Sequence, residues 1–169
     1  LAPEVLRRQP PPRRPRPVDP AVAKEDAKAL LAQARSRRAA HDWSGAAKAY
    51  RALLRKHGGS AYAGAARVSL GLLLLDHLGN AAGALLLFDG YLARTRSGPL
   101  AQEAAYGRIR ALRRLGRAAA ELRAVKSFLH HYPGALQEPF VKRRLKQLQA
   151  ATAPKIVSRR VSKIPDGIS

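Results

Sequence analysis

From Pro20 onward the apolar residues recur every three or four positions, and each run stops at a capping residue, a glycine or a proline. Asp19-Pro20 supplies an N-cap followed by proline at the first helical position, where its missing N–H is no loss. Ala23, Ala27, Leu30, Leu31 and Ala34 then fall on one face of a first helix. After His41-Asp42 a second carries Ala46, Ala47, Tyr50, Leu53 and Leu54 as far as Gly58-Gly59, whose glycines read as a C-cap. A third, from about residue 61 to 78, carries Val68, Leu72 and Leu75. Asn80 caps a fourth with Ala84, Leu85, Phe88 and Leu92. Pro99 opens a fifth with Ala101, Ala105, Ile109 and Leu112. Gly116 breaks it, and a sixth follows with Ala118, Leu122, Val125 and Leu129 up to Pro133-Gly134. A seventh, near Pro139, shows Val141, Leu145 and Leu148. No stretch keeps the alternation of a strand, so the pattern predicts an all-α chain of seven helices. Leu72 and Phe88 are expected to be fully buried.

The helices repeat. DWSGAAKAYRALLRKHGGS from Asp42, NAAGALLLFDGYLARTRSG from Asn80 and RAAAELRAVKSFLHHYPGA from Arg117 align at spacings of 38 and 37 residues. Each holds a large or branched residue at one position (Tyr50, Phe88, Val125), followed by a bulky pair (Leu53-Leu54, Tyr91-Leu92, Phe128-Leu129). Leu-Gly precedes two of the three, at Leu78-Gly79 and Leu115-Gly116. A single helical hairpin cannot bury both its faces, so such units stack on one another. The expected architecture is a right-handed α-solenoid of about three helix-turn-helix repeats plus a C-terminal capping helix.

Trp43, Ala46 and Tyr50, then Leu70-Gly71, Gly79, Ala84 and Phe88, then Gly116 with Tyr132-Pro133, resemble the signature of the tetratricopeptide repeat. The resemblance covers about residues 22–149. It implies that small residues let paired helices approach closely and that the aromatic fills the space between neighbouring repeats. Glu121 stands where the family prefers alanine, and Arg37 where it prefers an aromatic. The period exceeds the family's usual ~34 residues, the difference lying in the loops HGGSAYAGAA, RTRSGPLAQEAA and YPGALQEPF. This longer form is similar to bacterial cell-envelope tetratricopeptide proteins, of the β-barrel-assembly lipoprotein and Tol–Pal coordinator types. It is also similar to the repeat domain of membrane-anchored anti-sigma or FecR-like regulators. The resemblance implies a protein-binding scaffold on the periplasmic side of a bacterial envelope, with a cytoplasmic location as the alternative.

Composition adds the ends. Six of the twelve residues from Gln9 to Pro20 are proline, which lacks an N–H and favours an extended, solvated chain. Residues 1–18 are therefore expected to be a disordered Pro/Arg-rich linker, 19–150 the repeat domain, and 151–169 a disordered basic tail. No apolar stretch reaches the ~18 residues of a membrane helix. Membrane contact is expected only through an anchor missing from this sequence or through the Arg-rich arm on anionic lipid.

Charge changes the picture further. The chain carries 32 Lys plus Arg against 11 Asp plus Glu, a net +21. About half of the excess sits at the ends: five arginines against Glu4 in residues 1–18, and eight basic residues against Asp166 in 142–169. Within the repeats, Arg110, Arg113, Arg114 and Arg117 lie three or four apart and are expected to form one basic stripe that clamps an acidic or extended protein segment. Arg37 and Arg38, late in the first helix, are weaker candidates for the same role. A nucleic-acid-binding module is the second reading, since phosphate would take the same charges. It is disfavoured because the three Phe, five Tyr and single Trp fall mostly on the apolar stripes rather than among the cations. The absence of cysteine removes disulfides, thiolate metal sites and thiol catalysis. The five histidines (His41, His57, His77, His130 and His131) sit mainly at helix ends. No carboxylate pair, nucleophile motif or phosphate-cradling loop is present. No enzyme activity, metal, cofactor or small-molecule substrate is expected.

Overall fold

A computed structural model describes residues 19–95 and 97–152. The expected linker at 1–18 and residues 153–169 of the expected tail lie outside the described residues. Among those described there are seven α-helices and no strand. They are α1 (Pro20–Ala39), α2 (Trp43–His57), α3 (Ala63–Asp76), α4 (Ala81–Leu92), α5 (Ala101–Arg114), α6 (Ala118–His131) and α7 (Glu138–Thr152). The chain divides into two compact units, one running through Ala66 and the other beginning at Arg67.

In the first unit α1 packs on α2. Ala27, Leu31 and Ala34 are buried on α1, and Ala46, Ala47, Ala49, Tyr50 and Leu53 on α2. The many alanines on these faces remove bulk that would hold the two axes apart. At the far end of the pair His57 Nε2 lies 2.7 Å from Asp26 Oδ2, and Lys56 Nζ lies 3.9 Å from the same oxygen. Tyr50 is fully buried, and its hydroxyl has no hydrogen-bond partner among the described residues.

In the second unit α5 packs against α4 and α6, and α6 against α7. Phe88 of α4 has no exposed surface. Its ring lies against two glycines: a Cβ at Gly71 of α3 would stand 2.7 Å from Cε1, and one at Gly107 of α5 would stand 2.5 Å from Cζ. Hydrogen at these two positions is what admits the ring.

Each turn inside a hairpin passes through one left-handed residue. His41, Gly79 and Gly116 take left-handed φ of 58°, 64° and 66°. After α1 the N–H of His41 donates to Arg38 O and that of Asp42 to Arg37 O. After α5 Gly116 donates to Arg113 O and Arg117 to Leu112 O. These bonds close the helix in the Schellman pattern. The next residue then opens the following helix: Asp42 Oδ1 accepts from Gly45 N at 2.8 Å and Asn80 Oδ1 from Gly83 N at 2.8 Å. Arg117 holds that position in the third hairpin without a side-chain cap.

Three sequence expectations change. Leu72 is only half-buried, whereas Val68, Leu70, Leu73, Leu74 and Leu75 are buried. Four consecutive leucines carry no period, and packing decides which of them faces outward. On α6 the buried face is Glu121, Ala124, Val125 and Phe128, about one residue round from the expected Ala118, Leu122, Val125 and Leu129. Gly58 closes α2 in a right-handed conformation (φ −62°), and the left-handed glycines are Gly79, Gly116 and Gly134.

Candidate functional site: a basic cleft between α5 and α7

Helix α5 buries Ala101, Ala104, Gly107, Ile109, Ala111 and Leu112. That choice of face turns Tyr106, Arg110 and Arg113, spaced by four and three, to the other side. Helix α7 is set beside it by the preceding loop. Gln102 Nε2 donates to Gln137 Oε1 at 2.9 Å, and Glu138 accepts from Gly134 N at 2.5 Å while pairing with Lys142 at 2.6 Å. Those bonds hold the Glu138 carboxyl below its ordinary pKa, the Lys142 bond contributing most. Val141 and Leu148 point into the core. Phe140, Arg143, Arg144 and Gln147 face Tyr106, Arg110 and Arg113 across a cleft of about 260 Å³, with Ile109 and Val141 also lining it.

The four guanidinium groups of the cleft are not equivalent. Arg144 forms a fork with Glu121, Nε to Oε1 at 2.6 Å and Nη2 to Oε2 at 2.8 Å. Glu121 is buried on α6, so Arg144 is the counter-ion that permits a carboxylate there. The bond to Glu121 pushes the Arg144 guanidinium above its usual value. Arg110 is held by both carboxylate oxygens of Asp76 on α3 and lies 5.9 Å from the centroid of the Tyr106 ring. Arg113 and Arg143 are exposed, and no carboxylate among the described residues pairs with either.

Of the expected stripe, then, Arg110 and Arg113 come together in the cleft, while Arg114 and Arg117 do not line it. Arg114 lies 4.0 Å from Asp76, and Arg117 occupies the N-cap position of α6. Arg37 and Arg38 belong to the first unit. Arg37 binds Asp42 at 3.1 Å, and Arg38 is exposed in the last turn of α1. Phe140, Arg143 and Arg144 were not among the expected site residues. Their signal in the sequence is the FVKRR run from Phe140, which sets an aromatic residue and two arginines within five positions.

A larger cleft of about 350 Å³ lies among α4, α5 and α6. Its two opposite charges, Asp89 and Arg108, bind each other at 2.6 Å. His131 Nδ1 is 2.8 Å from the Ser127 carbonyl oxygen, so that nitrogen carries a proton. Among the described residues no group of three or more His, Asp or Glu is placed to hold a metal ion, and no helix is long and apolar enough to cross a membrane.

The helices superpose on a solved structure described as the TPR domain of Arabidopsis OM64. The TM-score is 0.63 at 14% identity, over 74% of this chain and 98% of that one. The fold is that of a tetratricopeptide-repeat domain. No family model matches the sequence, and no curated protein does. The helical-repeat architecture expected from the 37–38-residue period is thus borne out in three dimensions.

Proposed function

We propose that the protein is a non-catalytic interaction module that binds an acidic or extended segment of another protein in the cleft between α5 and α7. The observation that carries this reading is the cleft itself. It offers Arg113 and Arg143, which pair with no carboxylate among the described residues, above an apolar floor, on a fold of stacked helical hairpins. Arg110 and Arg114 contribute less charge, because Asp76 already lies against them. Arg117, Arg37 and Arg38 add to the general positive field rather than to the cleft. A scaffold role in a bacterial cell envelope is the setting that best suits the long repeat period. Its support is the length of the loops between hairpins, residues 58–62, 93–100 and 132–137.

Titration with a glutamate-rich peptide and with single-stranded oligonucleotides, each at two salt concentrations, tests the reading. Peptide binding that weakens on Arg113→Ala with Arg143→Ala is the expected result. Tight oligonucleotide binding with a steep salt slope, abolished by the same pair, would replace this reading with a nucleic-acid one.

A further inference from the structure

The cleft is only partly a charge site, and its apolar part asks for something from the partner. Phe140 is 61% exposed and forms part of the α7 wall. Ile109 and Val141, both buried, lie at the base. The two guanidinium groups without a carboxylate partner among the described residues come from opposite helices, Arg113 from α5 and Arg143 from α7. The volume, about 260 Å³, is below the ~300–1,000 Å³ of typical small-molecule pockets. It suits one side chain inserted from a peptide rather than an enclosed ligand.

We infer that the cleft recognises a protein segment with a bulky apolar side chain flanked by carboxylates, the apolar group seated against Phe140 and the carboxylates held by Arg113 and Arg143. This rests on the function proposed above and narrows its partner class. Helix α7 is then part of the binding surface as well as the end of the repeat array. The internal pairs serve the same end. Asp76 and Glu121 fix Arg110 and Arg144 as the frame of the cleft, so a partner carboxylate meets Arg113 and Arg143 without having to displace a native ion pair. Exposed apolar side chains scattered singly are ordinary on protein surfaces. Leu136, 83% exposed and outside the cleft, is such a case and serves as the control.

The test uses the 169-residue chain and two fluorescein-labelled peptides of Glu, Gly and Ser, identical except for a central Leu or Ser between glutamates. Fluorescence anisotropy reads both affinities. The Leu peptide is expected to bind at least about fivefold tighter, the range of a modest hot spot. Phe140→Ser should bring that ratio close to one while leaving the Ser peptide unchanged. Phe140→Leu should preserve the ratio, and Leu136→Ser should not alter it. Arg113→Ala with Arg143→Ala should weaken both peptides. Equal affinity for the two peptides overturns the inference, as does a ratio that survives Phe140→Ser or disappears with Leu136→Ser. The acidic-segment reading stands in each of those cases. If neither peptide binds at low salt, both fall together.

Discussion

Gly107→Ala places a methyl group where the Phe88 ring is already gripped from two sides. The added Cβ would lie 2.5 Å from Cζ and 2.8 Å from Cε1 and Cε2, against an ordinary carbon–carbon contact of about 3.5–4.0 Å. The ring would have to retreat by about 1 Å. Gly71 lies against the same end of the ring, where a Cβ would stand 2.7 Å from Cε1 and 2.9 Å from Cζ, so the space for retreat is small. Overpacking of this kind costs about 1–3 kcal/mol. Alanine in a helix interior returns about 1 kcal/mol relative to glycine, so the net loss should be about 0–2 kcal/mol. In a Phe88→Leu background the ring edge is gone, and the same substitution should be neutral or stabilising. A double-mutant cycle by urea denaturation reads the coupling directly, and because the propensity gain cancels in the cycle the expected value is the overpacking cost of about 1–3 kcal/mol. If Gly107→Ala raises stability in the wild-type background, or shifts both backgrounds equally, the two-glycine seat for Phe88 is wrong.

Further outcomes follow from the buried polar groups and the caps. Arg144→Met leaves the Glu121 carboxylate buried without its counter-ion and should cost close to the lower end of the ~3–5 kcal/mol seen for broken buried pairs. Glu121→Leu with Arg144→Met should recover most of it, and a loss below ~1 kcal/mol for the single change would contradict the fork. Tyr50→Phe removes a buried hydroxyl that has no partner among the described residues and copies the residue found at 88. It should leave the melting temperature unchanged or raise it, and a clear drop would reveal a bond the hydroxyl makes. Asp42, Asp26 and Glu138 all have carboxyl pKa values held below the ordinary value, chiefly by the Gly45 N–H, by His57 and by Lys142 respectively. Their stabilisation is complete above the ordinary carboxylate range and is lost as pH falls through it to the lowered values. Asp42→Asn, which can still cap α2, should flatten the acid limb of a stability–pH curve. An unchanged limb would refute the Asp42 contribution.

Most of the helix ends were legible in the sequence because they are local. Asp19-Pro20, Asp42, Asn80 and Gly116 each satisfy or release backbone groups within a few residues, and such chemistry depends on spacing alone. The face of α6 was not legible, because a carboxylate is costly to bury until Arg144, 23 positions later, is folded beside it. For the same reason Arg110 looked free: Asp76 is 34 residues away. The basic character of the site was visible, yet which cations remain available is settled by tertiary pairing. Asp76 engages Arg114, Arg117 lies at the N-cap of α6 outside the cleft, and Arg143 lines it. Phe140, beside Pro139 at the start of α7, shows no periodic signal that separates an exposed wall from a core position.

The turns inside the hairpins have no slack. Asp42 completes the closing bonds of α1 and caps α2 at once, with His41 alone in the left-handed region between them. One extra residue there would unseat both helices. The connections at residues 58–62, 93–100 and 132–137 are under no such double obligation, so growth of the chain by insertion is channelled to them. Epitope insertions should be tolerated at exposed Gly59 or Ser97 and rejected between Ala40 and Trp43.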